Sequence, residues 1–240
     1  MMEKEYSETY FSSAGRFERA HGYLKLFPAP LVEWYFNNHQ KRLEHALRNY
    51  KHFVPSPAGL KILEIGTGNG GFMAYCGKEN AIGIDVWKEG VKKLAAQGFD
   101  VRYHDASKPF PFPDGSFDVV YSEQVIEHIH DGVAFAAEMN RVLRKGGKAV
   151  VRTVDIARAG MWFYTDYTHV HPYTKSSLYR LMEDSGFEVA EIAHGISPNS
   201  FVLRRLANIA IMLPAPVLEA YLDKVCRKFS YEIYAVGMKK

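Results

Sequence analysis

The residues best placed to do chemistry lie in the run Ile62 to Gly71, I-L-E-I-G-T-G-N-G-G, where an apolar strand feeds a glycine-rich turn. Gly66, Gly68 and Gly70 lack the Cβ atoms that would hold a ligand away from the backbone. Gly71 opens a helix whose exposed N–H groups favour electron-rich atoms. Such a turn cradles a nucleotide, and its G-x-G-x-x-G spacing would fit a dinucleotide or S-adenosylmethionine. Glu64, two residues before the first glycine, can accept hydrogen bonds from a ligand ammonium and would repel a pyrophosphate. About twenty residues on, Ala81 to Asp85 (A-I-G-I-D) ends a second apolar strand in an acid, which catches ribose hydroxyls at the carboxyl edge of a parallel sheet.

A parallel sheet is what must hold these groups. Over residues 60–155 short apolar runs alternate with helical periodicity, and each parallel crossover needs a helix. Strands are expected near 61–65, 81–85, 100–103, 117–122 and 148–153. Helices are expected near 70–77, 88–96, 123–128 and 132–144, with Gly146 and Gly147 ending the last. Lys175 to Ser185 reads as a helix stopped by Gly186. Phe187 to Ala193 and Tyr231 to Met238 read as strands whose pairing adds an antiparallel edge. Ahead of the sheet, Leu31, Trp34, Tyr35, Leu43, Ala46, Leu47 and Tyr50 mark one face of a helix over Leu31 to Phe53, closed by V-P-S-P-A-G at Val54 to Gly59. The chain thus divides into an N-terminal helical extension, residues 1–58, and an α/β domain, residues 59–240, with insertions at 155–174 and 196–229.

Further motifs follow Asp85. V-R-Y-H-D-A at Val101 to Ala106 ends near another acid, and F-P-F-P-D-G-S-F-D-V-V at Phe110 to Val120 leads into Y-S-E-Q-V-I-E-H-I-H at Tyr121 to His130. Together with E-M-N-R-V-L-R-K-G-G-K at Glu138 to Lys148, these stretches resemble class I S-adenosylmethionine-dependent methyltransferases of the broad group with small or glycan-like acceptors. The resemblance implies an α/β, doubly wound, mostly parallel seven-stranded sheet, the Rossmann-like methyltransferase fold. It implies that Gly66, Gly68 and Gly70, with Thr67 among them, line the methionine and ribose portion of the cofactor, and that Glu64 orients the amino-acid end. Asp85, followed by Val86, would hold the ribose hydroxyls, and Trp87 would stack on or cover the adenine. Asp105 would take the adenine amino group and the Ala106 amide a ring nitrogen. Ser122 and Glu123 would border the sulfonium and the acceptor. The extension would serve as a lid, with Tyr6, Tyr10, Phe11 and Arg16 at hand, or as a packing appendage.

On this reading the acceptor meets Asp155 to Thr174, which leaves the fifth strand at its carboxyl end and is rich in aromatics, histidine and acids. Its D-Y-T-H-V-H-P-Y-T run resembles a stretch of methyltransferases acting on sugars and other glycan or polyketide-type acceptors. Only a hydroxyl acceptor demands a base. His169 is the first candidate, with Asp166 orienting it or binding an acceptor hydroxyl, and His128 is the second. His171 before Pro172 shapes the turn. Asp166, His169 and His171 also invite a metal reading, but two histidines two residues apart lack a third firmly placed ligand, so no metal is assigned.

A 240-residue chain with 47% hydrophobic content can bury a large core without disulfides. Its two cysteines, Cys76 and Cys226, suit a reducing cytoplasm. The net charge of +3 is spread among acids, so a nucleic-acid partner is unsupported. The opening M-M-E-K-E-Y-S-E-T-Y has no secretory pattern, and no apolar run is long enough to span a bilayer. The stretch 201–218 pairs Arg204 and Arg205 with apolar residues; it could rest on a membrane surface beside a lipid-linked acceptor, cap the pocket, or form a homodimer contact. Two rival functions are an NAD(P)-dependent oxidoreductase and a non-catalytic S-adenosylmethionine-binding regulator. The first is disfavoured by Glu64, by the Asp105–Ala106 pair and by the lack of a separate catalytic domain.

Overall fold

Apolar runs bounded by glycine, asparagine and proline turns become the strands of one sheet. The computed structural model describes residues 49–195 and 230–240. Its strands are β1 (Ile62–Ile65), β2 (Ala81–Asp85), β3 (Asp100–Tyr103), β4 (Phe117–Glu123), β5 (Leu143–Val154), β6 (Phe187–His194) and β7 (Glu232–Lys239). The helices are α1 (Gly71–Cys76), α2 (Lys88–Ala96), α3 (Gly132–Val142), α4 (Ile156–Ala159) and α5 (Lys175–Asp184). Strand order is β3-β2-β1-β4-β5-β7-β6. β1 to β5 pair in parallel, and β7 is antiparallel to both β5 and β6. The expected antiparallel pair therefore closes one side of the sheet, with β7 inside it and β6 outermost. A dinucleotide sheet of order 3-2-1-4-5-6 lacks that inserted strand.

Side-chain alternation splits the core in two. Leu63, Ile65, Val120 and Val151 face one way, against Phe135 and Met139 of α3 and Leu178 and Met182 of α5. Ile62, Val119, Tyr121 and Val150 face the other, against Phe72 and Met73 of α1. The second layer also takes in Phe53 and Val54, the end of the predicted N-terminal helix, of which residues 49–53 are helical. Tyr50 on that turn lies edge-on to Phe72, 5.2 Å between centroids, and Phe72 stacks on Tyr121 at 3.9 Å. The rest of the extension, with Tyr6, Tyr10, Phe11 and Arg16, lies outside the described residues, as do the insertion 196–229 and its stretch 201–218.

Two local expectations change. Where a helix over 123–128 is expected, β4 runs through Glu123, Gln124 takes a left-handed conformation (φ 54°), and only a single 3-10 turn, Ile126–His128, follows. At the end of α3 the two glycines do not terminate the helix. Leu143 is already extended and pairs with Phe117, while Lys239 Nζ donates to the carbonyls of Arg141 (3.3 Å) and Leu143 (2.7 Å). Gly146, at φ 72°, falls in the irregular stretch before the register resumes at Val119 and Lys148. Among the described residues no helix is long and apolar enough to cross a membrane.

Candidate active site

The sheet order reverses between β1 and β4, and a doubly wound sheet opens its ligand crevice at the carboxyl ends of the strands at such a point. The glycine turn sits there, and its glycines do different jobs. Gly66 and Gly70 have φ of 77° and 76°, and a Cβ on either would collide with Val125 or Leu94 respectively. They are required by the protein's own packing. At Gly68, φ 50°, a Cβ would meet nothing within 4 Å. Packing therefore does not call for a glycine there, and the turn is open on that side.

Asp85 ties the turn down. Its Oδ2 accepts from the Gly68 amide (2.8 Å) and from Thr67 Oγ1 (3.3 Å), and its Oδ1 from the Trp87 amide (2.7 Å). Burial raises its pKa, against the lowering effect of these bonds. A carboxylate offers about four lone-pair sites, so this anchoring leaves acceptor capacity at the sheet edge. Val86 and Trp87 lead into α2, and the Trp87 ring lies against Gly90, where any Cβ would strike it. Asp105 accepts from the Ser107 amide at 2.9 Å, while Ala106 packs against the core.

Glu64 is the unusual group. Its side chain is buried, its Oε2 has no hydrogen-bond partner among the described residues, and the Met73 amide is the backbone donor facing the carboxyl. Burial first, then the nearby Glu123 and Asp85, drive its pKa well above the usual carboxylate range. A bare buried acceptor is costly unless something supplies a donor. A ligand ammonium arriving beside the glycine turn is a donor of the right sign. Ser122 Oγ in β4 and Gln124 Nε2 just after it are likewise buried without hydrogen-bond partners among the described residues. Glu123 is held by the buried Arg152, 2.5 Å away, and accepts from Tyr121 Oη at 2.6 Å; Arg152 also pairs with Glu232 at 2.9 Å. Burial raises the Tyr50 phenol, and the charges of Glu123 and Glu64 add to the shift. Tyr50 was legible only as one residue of a helix face.

On the opposite face the histidines come together. The Asp155–Tyr173 bridge, and amides of Val170 (2.9 Å) and His171 (3.1 Å) donating to the Glu127 carbonyl, fold 155–174 back onto the 3-10 turn. The rings of His128 and His169 end 4.9 Å apart. His128 Nδ1 faces the Thr168 carbonyl (3.1 Å) and Oγ1 (3.0 Å), and burial lowers its pKa. His169 Nδ1 faces the Phe163 carbonyl at 2.8 Å. That carbonyl orients the ring; Asp166 Oδ2 stands 4.0 Å from Nε2, and its Oδ1 accepts from the Thr168 amide and hydroxyl. His171 stacks on Tyr173, 4.6 Å between centroids, as suits a turn-shaping role. Trp162 and Tyr167 are about four-fifths exposed, at 80% and 79%. Glu127 and Thr168 went unmarked in the sequence because their contacts, with Thr153 and His128 respectively, span 26 and 40 residues.

A model of the methyltransferase domain matches residues 37–192, more than half of the chain. A probable S-adenosylmethionine-dependent methyltransferase of Mycolicibacterium smegmatis is 32% identical over 156 residues, 61% of this chain and 60% of that protein. The 2-methyl-6-phytyl-1,4-hydroquinone methyltransferase of Synechocystis sp. is 33% identical over 114 residues, 45% of this chain and 36% of that protein. The chain matches at most 60% of the length of these two relatives. An S-adenosylmethionine-dependent methyltransferase from Mesorhizobium loti superposes with a TM-score of 0.63 over 82% of this chain and 100% of that one, at 17% identity, a likeness of fold. The sheet with its inserted antiparallel strand, the glycine turn between two acids, and the extent of the domain match together make this chain a member of the class I S-adenosylmethionine-dependent methyltransferases.

Proposed function

We propose that this chain transfers a methyl group from S-adenosylmethionine to an oxygen of a small-molecule or glycan-like acceptor, with a nitrogen acceptor ranked second. The observation that carries the reading is the buried, bare oxygen of Glu64 beside the glycine turn. It fits a cofactor with an ammonium group and disfavours one led by a pyrophosphate. When bound, the cofactor supplies a methyl group activated by a sulfonium. Glu64 holds the amino group, Asp85 the ribose hydroxyls, and Asp105 with the Ala106 amide the adenine edge. Gly68 admits the ligand to the backbone, and Trp87 closes the side next to α2. Ser122 and Glu123 border the methyl position, Glu123 being kept in place by Arg152.

Displacement at a methyl carbon requires collinear alignment and exclusion of water more than it requires proton transfer. The protein meets the first need with a rigid strand end. For a hydroxyl acceptor, the Phe163 carbonyl at Nδ1 leaves Nε2 of neutral His169 as the basic atom, and Nε2 takes the proton. His128, on the 3-10 turn, is the alternative base, and Asp166 fixes the loop that carries His169 and holds Thr168 against His128. The exposed Trp162, Tyr164 and Tyr167 on the same loop offer apolar surface to an acceptor ring. The extension, residues 1–58, whose end at Phe53 and Val54 packs into the core, serves as a lid or a packing appendage, and 201–218 caps the pocket, forms a contact with a second copy, or meets a membrane surface or lipid-linked acceptor. A reducing cytoplasm suits the free, buried Cys76. Incubation with methyl-labelled S-adenosylmethionine and a panel of phenolic, sugar and lipid-linked acceptors tests the reading. Label in a product supports it, whereas cofactor binding with no transfer to any acceptor would favour a regulator.

A further inference from the structure

The side of β4 and β5 turned away from Glu64 carries a second cluster. Glu127, His128 and His169 each offer one potential ligand atom, and these atoms all lie within 4.8 Å of one another. Glu127 is fully buried: Oε2 accepts from Thr153 Oγ1 at 2.8 Å, and Oε1 has no hydrogen-bond partner among the described residues. The cofactor contacts assigned above use none of these atoms.

The imidazoles are set in one tautomer. Nδ1 of His169 faces the Phe163 carbonyl, and Nδ1 of His128 faces the Thr168 carbonyl. A carbonyl can only accept, so each neutral ring carries its proton on Nδ1 and its lone pair on Nε2. The Thr168 hydroxyl agrees, because it donates to Asp166 Oδ1 at 2.6 Å and so can only accept from His128. Metal-bound histidines are characteristically held this way, with the far N–H on a carbonyl or carboxylate.

We propose that Glu127, His128 and His169 form a site for a first-row divalent cation of the kind that takes imidazole and carboxylate ligands together, such as Zn²⁺. Metal–nitrogen and metal–oxygen bonds of about 2.0–2.2 Å set tetrahedral ligand atoms roughly 3.4 Å apart. The ligand atoms, all within 4.8 Å of one another, need to draw together by at most about 1.4 Å to reach that spacing. The ion supplies the partner that the second Glu127 oxygen lacks, and the ligand set is the two histidines and one glutamate of an open metal site. It differs from the set suggested by spacing alone, since His171 is stacked on Tyr173.

Binding of the ion stands on this geometry; its role rests on the proposed methyl transfer. An acceptor hydroxyl bound at the open position would lose its proton to solvent more readily than a free one, and neither histidine would then need to act as base.

The test is titration of the full, untagged, metal-stripped chain with Co²⁺, followed by visible absorption and by competition with Zn²⁺, with no cofactor or acceptor present. The expected result is one equivalent of Co²⁺, with a ligand-field spectrum erased by Zn²⁺. Glu127→Gln and His169→Ala should each weaken binding by at least about 100-fold, and Thr168→Val by about 10-fold through its hold on His128. Adenosylhomocysteine affinity should stay unchanged in all three, so a failed metal site and a failed cofactor site are read separately. Should Glu127→Gln fail to fold, His169→Ala gives the same reading. Absence of saturable Co²⁺ binding, or parental affinity in His169→Ala, would overturn the proposal.

Discussion

Replacing Glu64 by glutamine keeps the shape of the side chain and removes its capacity to carry charge. A hydrogen bond to a charged partner contributes about 1.5–3 kcal/mol, so loss of the ammonium contact should weaken S-adenosylmethionine and adenosylhomocysteine roughly 10- to 100-fold. Methylthioadenosine, which lacks the amino-acid end, should bind the parent and Glu64→Gln alike. Because burial raises the Glu64 pKa well above 4.5, a cationic ligand that ionises it should release a proton, and parental affinity should rise with pH until the folded pKa is passed. Stability carries the opposite sign. The raised carboxyl contributes stability that is fully present below its unfolded pKa of about 4.5 and is lost as pH rises through the folded value. Glu64→Gln escapes that loss, so the ligand-free variant should gain in melting temperature relative to the parent as pH increases. Isothermal calorimetry in buffers of different ionisation enthalpy measures both affinity and proton release. Adenosylhomocysteine affinity within threefold of the parent, or an equal loss for methylthioadenosine, would refute the reasoning.

Other substitutions probe the frame. Arg152→Met strands Glu123 and Glu232 without their buried cation and should cost about 3–5 kcal/mol in urea denaturation. Gly66→Ala and Gly68→Ala both meet about 1–2 kcal/mol of left-handed backbone strain. Only Gly66→Ala adds a clash with Val125, worth about 1–3 kcal/mol more, whereas Gly68→Ala should chiefly reduce adenosylhomocysteine affinity by calorimetry. Trp162→Ala should leave stability within about 0.5 kcal/mol, since the ring is exposed, and should lower turnover of ring acceptors. Burial pushes the Cys76 thiol up to about 12, so peptide mapping after alkylation at pH 8 should find it labelled only in denaturant.

The glycine turn and its flanking acids were legible because the pattern is local. I-L-E-I and A-I-G-I-D are short apolar runs that end in turns, and the acids lie next to the strands they serve, so spacing along the chain is close to spacing in space. The histidine cluster is assembled from afar. His128 and His169 meet through contacts among Glu127, Thr168 and Val170 that no periodicity encodes. The position of β7 between β5 and β6 likewise depends on pairing between strands far apart in sequence. Where local signals misled, a tertiary contact prevailed. Gly146 and Gly147 resemble a helix stop, but Leu143 gains a strand partner in Phe117 and Lys239 takes the helix's last carbonyls. The expected helix at 123–128 gives way to one more strand residue because Glu123 pairs with Arg152 along β5.

A crystal structure of the full chain with adenosylhomocysteine tests the cofactor assignment most directly. The ligand's amino group should lie within hydrogen-bond range of Glu64 Oε2, its ribose hydroxyls at Asp85, and its sulfur facing the end of β4. A ligand seated away from the glycine turn, or one whose amino group leaves Glu64 without a donor, would contradict it.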